Sequence, residues 1–272
     1  ESLGTLFLTV FLDLLGFGII VPQLPYYAKA CGAQATVVGL VAASYSFFQF
    51  LMGPTWGRLS DRIGRRPVIL TGLLGSAASY AIFGASFEIA AWLGIGPIPI
   101  LLASRALAGF FNANIAAAQA YMADITPEDG RAAAMGLVGA AFGLGFILGP
   151  AFSLVIWNAT GSASMPFYAA GLTGFLTWLW ALRVLPESRS EAVREVLAQH
   201  TVAPVGRPSF WKVPHGPMRW AMVTFFLSTT AMSGMENTLG YFDKDFKGLT
   251  ATSVADVQKL ANAVSIPFIP AD

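Results

Sequence analysis

Gly57-Arg58-Leu59-Ser60-Asp61-Arg62-Ile63-Gly64-Arg65-Arg66-Pro67 sets four arginines, one aspartate and two glycines between two stretches that are almost purely apolar. A short polar turn in that position makes the chain cross an apolar medium, reverse, and cross again. Its charges resist transfer through lipid, so Arg58, Arg62, Arg65 and Arg66 fix the side on which the turn lies. Everything before and after can be oriented from it.

Composition points the same way. Of 272 residues, 55% are hydrophobic and 11% charged, with a mean hydropathy of +0.62. Soluble domains carry about 25% charged residues, so this is a membrane chain. The net charge of +1 is uninformative as a total, because the distribution holds the information. A single cysteine, Cys31, excludes an intramolecular disulfide, and no Cys/His spacing resembles a metal site. His200 and His215 lie in a polar stretch and read as solvated. The chain opens on Glu1 rather than Met, which reads as a trimmed start. Its first apolar run, Leu3–Ala28, lacks a basic leader and a small-residue cleavage site and contains Asp13, so it predicts a spanning helix and not a signal peptide.

A helix crosses the roughly 30 Å hydrocarbon core with about 20 apolar residues. On that rule the sequence predicts seven spans, near Leu3–Ala28, Val37–Trp56, Val68–Phe87, Ile98–Met122, Ala132–Trp157, Pro166–Leu185 and Met218–Tyr241. Eleven Lys and Arg residues fall in connections on one side: the four of the opening stretch, Arg131, and Arg183, Arg189, Arg194, Arg207, Lys212 and Arg219. Lys29, Lys244, Lys247 and Lys259 fall on the other. Basic loops stay cytoplasmic, which puts the N-terminus inside. The organisation expected is a six-helix unit over 1–185, a charged, Pro-containing cytoplasmic linker over 186–217, a seventh helix over 218–241, and an extracytoplasmic segment over 242–272 too weakly apolar to cross.

Asp13, Arg105 and Glu236 are the charged residues set inside predicted spans, Arg183 and Arg219 standing within two residues of span ends. A charge at mid-membrane costs at least ~2.5–3.5 kcal/mol, so each calls for a partner or for water. Asp13 lies ~15 Å from the start of its span and Arg105 ~12 Å from the opposite face. Both therefore reach the middle of the core, where one cavity could serve them. Thr9, Asp13, Gly16, Gln23 and Tyr27 share a helical stripe, as do Arg105, Gly109, Asn112, Ala116 and Gln119. Tyr45, Gln49, Met52 and Trp56 add a third. Such stripes face water or protein rather than lipid, and for Asn112 and Gln119 two readings stand: helix-to-helix glue or contact with a bound molecule. Glu236 falls near the external end of its span and reads equally as an interfacial acid. Asp124, Glu128 and Asp129 are explained by capping. In the fifth span Gly139 and Gly143, then Ala141, Gly145 and Gly149, set small residues at four-residue spacing ahead of Pro150, either for tight packing or for a helix that packs closely in more than one state.

Several of these patterns resemble one family. Gly57-x-Leu59-x-Asp61-Arg62-x-Gly64-Arg65-Arg66 is similar to the cytoplasmic-loop signature of the major facilitator superfamily. Arg105-x-x-x-Gly109 resembles its fourth-span arginine motif, and Gly145-x-x-x-Gly149-Pro150 the motif of its drug:proton antiporters. Asp13 with Gly16, Pro22 and Pro25 resembles the start of tetracycline-efflux members. Ala113-Asn114-Ile115, Gln119-Ala120-Tyr121 and Asp124-Ile125-Thr126-Pro127 extend that likeness, which covers Thr5 to about Leu185. One departure is that Pro150 is followed by Ala151 and Phe152 where the family motif continues with two glycines.

The resemblance implies an all-α membrane bundle of inverted three-helix repeats, with twelve helices in two halves. This chain would hold the N-terminal half plus one helix, with the C-terminal half missing. Spans one, four and seven would line the cavity, and these are the spans bearing Asp13, Arg105 and Glu236. The implied function is proton-coupled export of a small amphipathic or drug-like substrate by alternating access, in a bacterial inner membrane. Asp13, Arg105 and Glu236 would couple protons. Phe17, Tyr45, Gln49, Phe111, Asn112 and Gln119 would contact substrate. Gly57, Asp61, Arg62, Gly64, Arg65 and Arg66 would gate, through a docking partner expected in the absent half. The alternatives are a carrier of a sugar, nucleoside or other metabolite, and an inactive fragment or non-transporting membrane protein. No nucleophile–base pair, metal cluster or phosphate loop is present, so no catalytic residue, metal, nucleic-acid partner or cofactor is expected beyond a proton gradient.

Overall fold

A computed structural model describes residues 2–21, 23–112 and 115–188, together with positions 220, 223–224 and 227–228, which are helical. The chain divides into two units, Glu1–Val205 and Gly206–Asp272. The predicted seventh span, its Glu236 and the segment 242–272 belong to the second unit and, apart from those few positions, fall outside the described residues.

The described part of the first unit is helical throughout. Its helices are α1 (Ser2–Ile20), α2 (Leu24–Ala30), α3 (Ala35–Ile63), α4 (Arg65–Gly84), α5 (Ser86–Leu93), α6 (Ile98–Asn112), α7 (Ile115–Ile125), α8 (Arg131–Thr160) and α9 (Met165–Val184). Five segments are long and apolar enough to cross a membrane: α1, α3, α4, α6 with α7, and α8 with its preceding turn. The predicted sixth span, α9, has the length at 20 residues, but Tyr168, Trp178 and Trp180 lower its hydropathy below that group.

Three boundaries differ from the sequence expectation. The run Leu3–Ala28 is not one helix: α1 stops at Ile20 and α2 starts afresh at Leu24 with Pro25 in its first turn. Proline suits that position because its missing N–H would be unpaired there anyway. Gln23 and Tyr27 therefore leave the stripe of Thr9, Asp13 and Gly16. The third predicted span ends at Gly84, and the chain continues in the short α5. The largest change concerns the arginine-rich stretch. Residues 57–63 continue α3, and Arg65 begins α4, so the reversal rests on Gly64 alone. Gly64 takes φ +104°, a left-handed backbone that residues with a side chain rarely adopt.

Packing is dominated by α1 on α8, α4 on α9, and α6 against α3 and α4. The α1–α8 contact runs backbone to backbone. A Cβ added to Gly18 would meet the Gly145 carbonyl, and one added to Gly149 would meet the Gly18 backbone. Small residues permit this approach, which gains dispersion contacts that lipid does not supply. Gly139 and Gly143 face open space, so the second of the two small-residue sets forms the joint. Pro150 lies inside α8, which continues through it to Thr160.

The core consists of two apolar clusters along the bundle. One gathers Leu6, Val10, Leu14, Ile69, Leu73, Tyr121 and Met122, and the other Ile20, Tyr27, Val41, Tyr80, Phe83, Leu101 and Phe167. Asp13 precedes the last α1 residue of the first cluster, and Arg105 follows Leu101 of the second by one turn.

Candidate functional site

The two buried charges occupy different walls of the bundle. Asp13 is 8% exposed. It opens onto a hollow lined by Thr9, Val10, Leu14, Ile69, Leu73, Ile115 and Ala118. Arg105 is 2% exposed, and its guanidinium stacks over the Phe83 ring at 4.5 Å. That stacking offsets part of the desolvation of the charge. Arg105 is not among the residues that line the Asp13 hollow. Tyr45 and Tyr80 each lie within electrostatic reach of both charges.

Tyr45 anchors a polar knot between α3 and α6. Its hydroxyl accepts from Asn112 Nδ2 at 2.8 Å and from Gln49 Nε2 at 3.3 Å. Gln49 Nε2 also reaches the Asn112 carbonyl at 3.4 Å. Gly109 makes this possible, because a Cβ there would strike the Tyr45 carbonyl. Among the described residues Asn112 Oδ1 has no partner, nor do Arg105 Nε, Arg105 Nη2 and the Tyr80 hydroxyl, all of them buried. Phe17 lies 5.1 Å from the Tyr45 ring and 5.9 Å edge-on from Phe146. The structure thus brings Phe17, Tyr45, Gln49 and Asn112 together. Phe111 points elsewhere, wedged against Gly75 of α4 beside Trp56 and Phe110. Gln119 is exposed on α7.

The arginine-rich reversal is built from this unit's own residues. Arg65, 6% exposed, reaches Asp61 at 2.8 Å through Nη1 and Asp124 at 3.1 Å through Nε. The same Nη1 donates to Ser60 Oγ at 2.6 Å. The backbone N–H groups of Arg65 and Arg66 donate to the two Glu187 carboxylate oxygens at 3.0 and 3.2 Å. Those N–H groups open α4 and have no partner inside the helix, so an anion is favoured there. Arg66 Nη2 donates to the Leu182 carbonyl at 2.6 Å, and the Tyr121 hydroxyl to the Pro186 carbonyl at 2.8 Å. Among the described residues the signature docks on α7 and at the end of α9. Gly57 has open space around it, so no close approach accounts for a glycine there.

Sequence reasoning missed Tyr80, Phe83, Asp124 and Glu187. The two acids had read as cap and linker. The signal available was position: each stands at the end of a predicted span, at the same level as the cluster of arginines. Tyr80 and Phe83 carry no charge, and a search for ionisable residues passed over them.

A helical bundle of membrane-crossing length with ionisable and hydrogen-bonding side chains sealed inside is the build of a membrane transporter. A family model of the Major Facilitator Superfamily matches residues 6–271. The chain belongs to the major facilitator superfamily, whose members are transporters and not enzymes. It is 34% identical over 224 residues to the class E tetracycline resistance protein of Escherichia coli, covering 80% of this chain and 52% of that protein. It is 30% identical over 258 residues to multidrug resistance protein 2 of Bacillus subtilis (strain 168), covering 94% of this chain and 62% of that protein. The chain thus spans about half the length of the curated relatives it matches. The crystal structure of the human organic anion transporter MFSD10 superposes with a TM-score of 0.65 at 26% identity, over 95% of this chain and 68% of that one. The chain is a multi-pass membrane protein with the fold of a major facilitator half, and its described residues hold helices and no strand.

Proposed function

We propose that this chain is the first half, and the beginning of the second, of a proton-coupled exporter of a small amphipathic, drug-like substrate of the tetracycline type. It works by alternating access in a bacterial plasma membrane, with its N-terminus cytoplasmic. The observation that carries the reading is Asp13: a carboxylate sealed within the bundle beside a hollow that reaches three helices. A buried acid exchanges a proton for a substrate contact at modest free-energy difference between the two states. Arg105 supplies the opposing charge, and Glu236 is a further acid for the same traffic. Phe17, Tyr45, Gln49 and Asn112 offer an aromatic and hydrogen-bonding wall suited to a ring-bearing substrate, whereas Phe111 packs at Gly75 and Gln119 lies exposed on α7. The arginine–carboxylate network at Gly64 biases the inward- and outward-facing states by holding the cytoplasmic ends of α3, α4, α7 and α9 together.

Asp13→Asn in the full-length protein tests this. In everted vesicles energised by a proton gradient, tetracycline uptake is expected to fall to the level of protein-free vesicles, while the variant still inserts and folds. Uptake equal to the parent protein removes Asp13 from the coupling step.

A second reading, an organic-anion carrier, is favoured by Arg105, whose Nε and Nη2 have no protein partner. A monoanionic aromatic carboxylate taken up where tetracycline is not would select it.

A further inference from the structure

Tyr80 belongs to no motif singled out in the sequence, yet its surroundings are unusual. It is 1% exposed, and its hydroxyl has no hydrogen-bond partner among the described residues. Leaving such a group unpaired in an apolar interior is costly, so nearly every buried hydroxyl in a folded protein has a partner for at least part of its working cycle. Two neighbours locate it. A Cβ added to Gly16 would stand 3.6 Å from Tyr80 Cε2, and Gly16 lies three residues beyond Asp13, on the same face of α1. Phe83, three residues beyond Tyr80 on α4, carries the Arg105 guanidinium on its ring. Tyr80 thus stands on the one surface of α4 that touches both the Asp13 turn of α1 and the Arg105 turn of α6. Arg105 Nε and Nη2 are likewise without a partner among the described residues.

We infer that the Tyr80 hydroxyl is a positioning group that links Asp13 to Arg105, taking a bridging water on each side when the transporter turns over. The inference rests on the proton-coupled reading of Asp13. A hydroxyl is suited to this position because it donates one hydrogen bond and accepts another, so it orients towards the Asp13 carboxylate when that is ionised and turns away when it is protonated. Arg105 then experiences the change although it does not touch Asp13. The other groups facing Asp13 are few. From α3 there is Tyr45, whose hydroxyl is already held by Asn112 and Gln49. From α7, Ile115 and Ala118 are apolar, and from α4, Ile69 and Leu73 are too. α8 presents Gly145 to Leu14, and α9 presents Ala170 to Gly16. Tyr80 is therefore, with Ser76 one turn before it on α4, a buried hydroxyl that no described protein group holds, and its ring lies within electrostatic reach of both charges.

Tyr80→Phe removes the oxygen and keeps the ring against Gly16. In full-length protein, the pH dependence of tetracycline uptake into everted vesicles is compared for parent, Tyr80→Phe and Asp13→Asn, with downhill equilibration of tetracycline as the control for folding. The expected result is that Tyr80→Phe equilibrates tetracycline like the parent, loses at least tenfold in proton-driven accumulation, and shows a midpoint displaced along the pH axis. A merely structural tyrosine would lower both activities together and leave the midpoint in place, and that outcome overturns the inference. A parental rate and midpoint in Tyr80→Phe, with Asp13→Asn defective, overturns it while sparing the proton-coupled reading. If Asp13→Asn also matches the parent, both fall.

Discussion

Gly64 takes φ +104° and ψ +161°, a region of backbone space that belongs almost wholly to glycine. The Glu187 carboxylate fills the place where a side chain would start. Two penalties then coincide at one residue. Gly64→Ala is expected to cost about 1–3 kcal/mol from backbone strain alone, read as a lower melting temperature of the detergent-solubilised protein. It is also expected to displace Glu187 from the N–H groups that open α4. The arginines around Gly64 were legible in the sequence because charge between apolar runs is conspicuous. Their partners were not, because Asp124 and Glu187 are distant in the chain and each has an adequate local explanation as a cap or a linker acid. Asp13 and Arg105 were legible for the same reason as the arginines, since an ionisable group within an apolar run stands out. Tyr80 was not, because its polarity is a single oxygen on a ring that otherwise suits the core.

At the scale of helices, the joint between α1 and α8 turns on Gly18, Gly145 and Gly149, and on neither Gly139 nor Gly143. Gly149→Val places two methyl groups where the Gly18 backbone now lies. The helices must part, and overpacking of this kind costs about 1–3 kcal/mol. Gly139→Ala meets nothing within 4 Å and is expected to leave stability unchanged or slightly higher, because alanine is the better helix former. Parallel melting curves of the two variants check the assignment. Spacing showed two candidate seams on α8, and choosing between them required knowing which face meets α1. For the first six spans, helix existence was readable from apolar run length. Helix ends were less so: apolar content continues across residues 20–24 and 84–86 while the backbone does not, as Pro25 and the turn at Ala85 show.

For the molecule as a whole, the orientation proposed from the arginines puts Cys31 on the face opposite the Gly64 reversal. The thiol is half-buried, and that burial pushes its pKa up to about 11, against a smaller opposing effect from a Ser86 hydrogen bond. Thiolate is the reactive form. Its fraction below that pKa therefore rises about tenfold per pH unit. Labelling of intact cells with a membrane-impermeant maleimide is expected to reach Cys31 from outside, slowly at pH 7 and about tenfold faster at pH 8. Labelling that requires broken cells would invert the proposed topology. The fold class was available from composition and the family from a handful of spaced residues. The arrangement of Asp13, Tyr80 and Arg105 was not, since it depends on three helices meeting at one level.

The glycine joint has a consequence for how the protein is made. α1, carrying Asp13, leaves the ribosome well before α8, the helix that covers its glycine face. At ~5–20 residues per second, the interval is on the order of ten seconds. During it, a polar-faced helix must be sheltered by the insertion machinery or by its earliest neighbours. Pairing of α1 with α8 therefore cannot follow the order of synthesis, and α1 finds its permanent place only after the helices between them have entered the membrane.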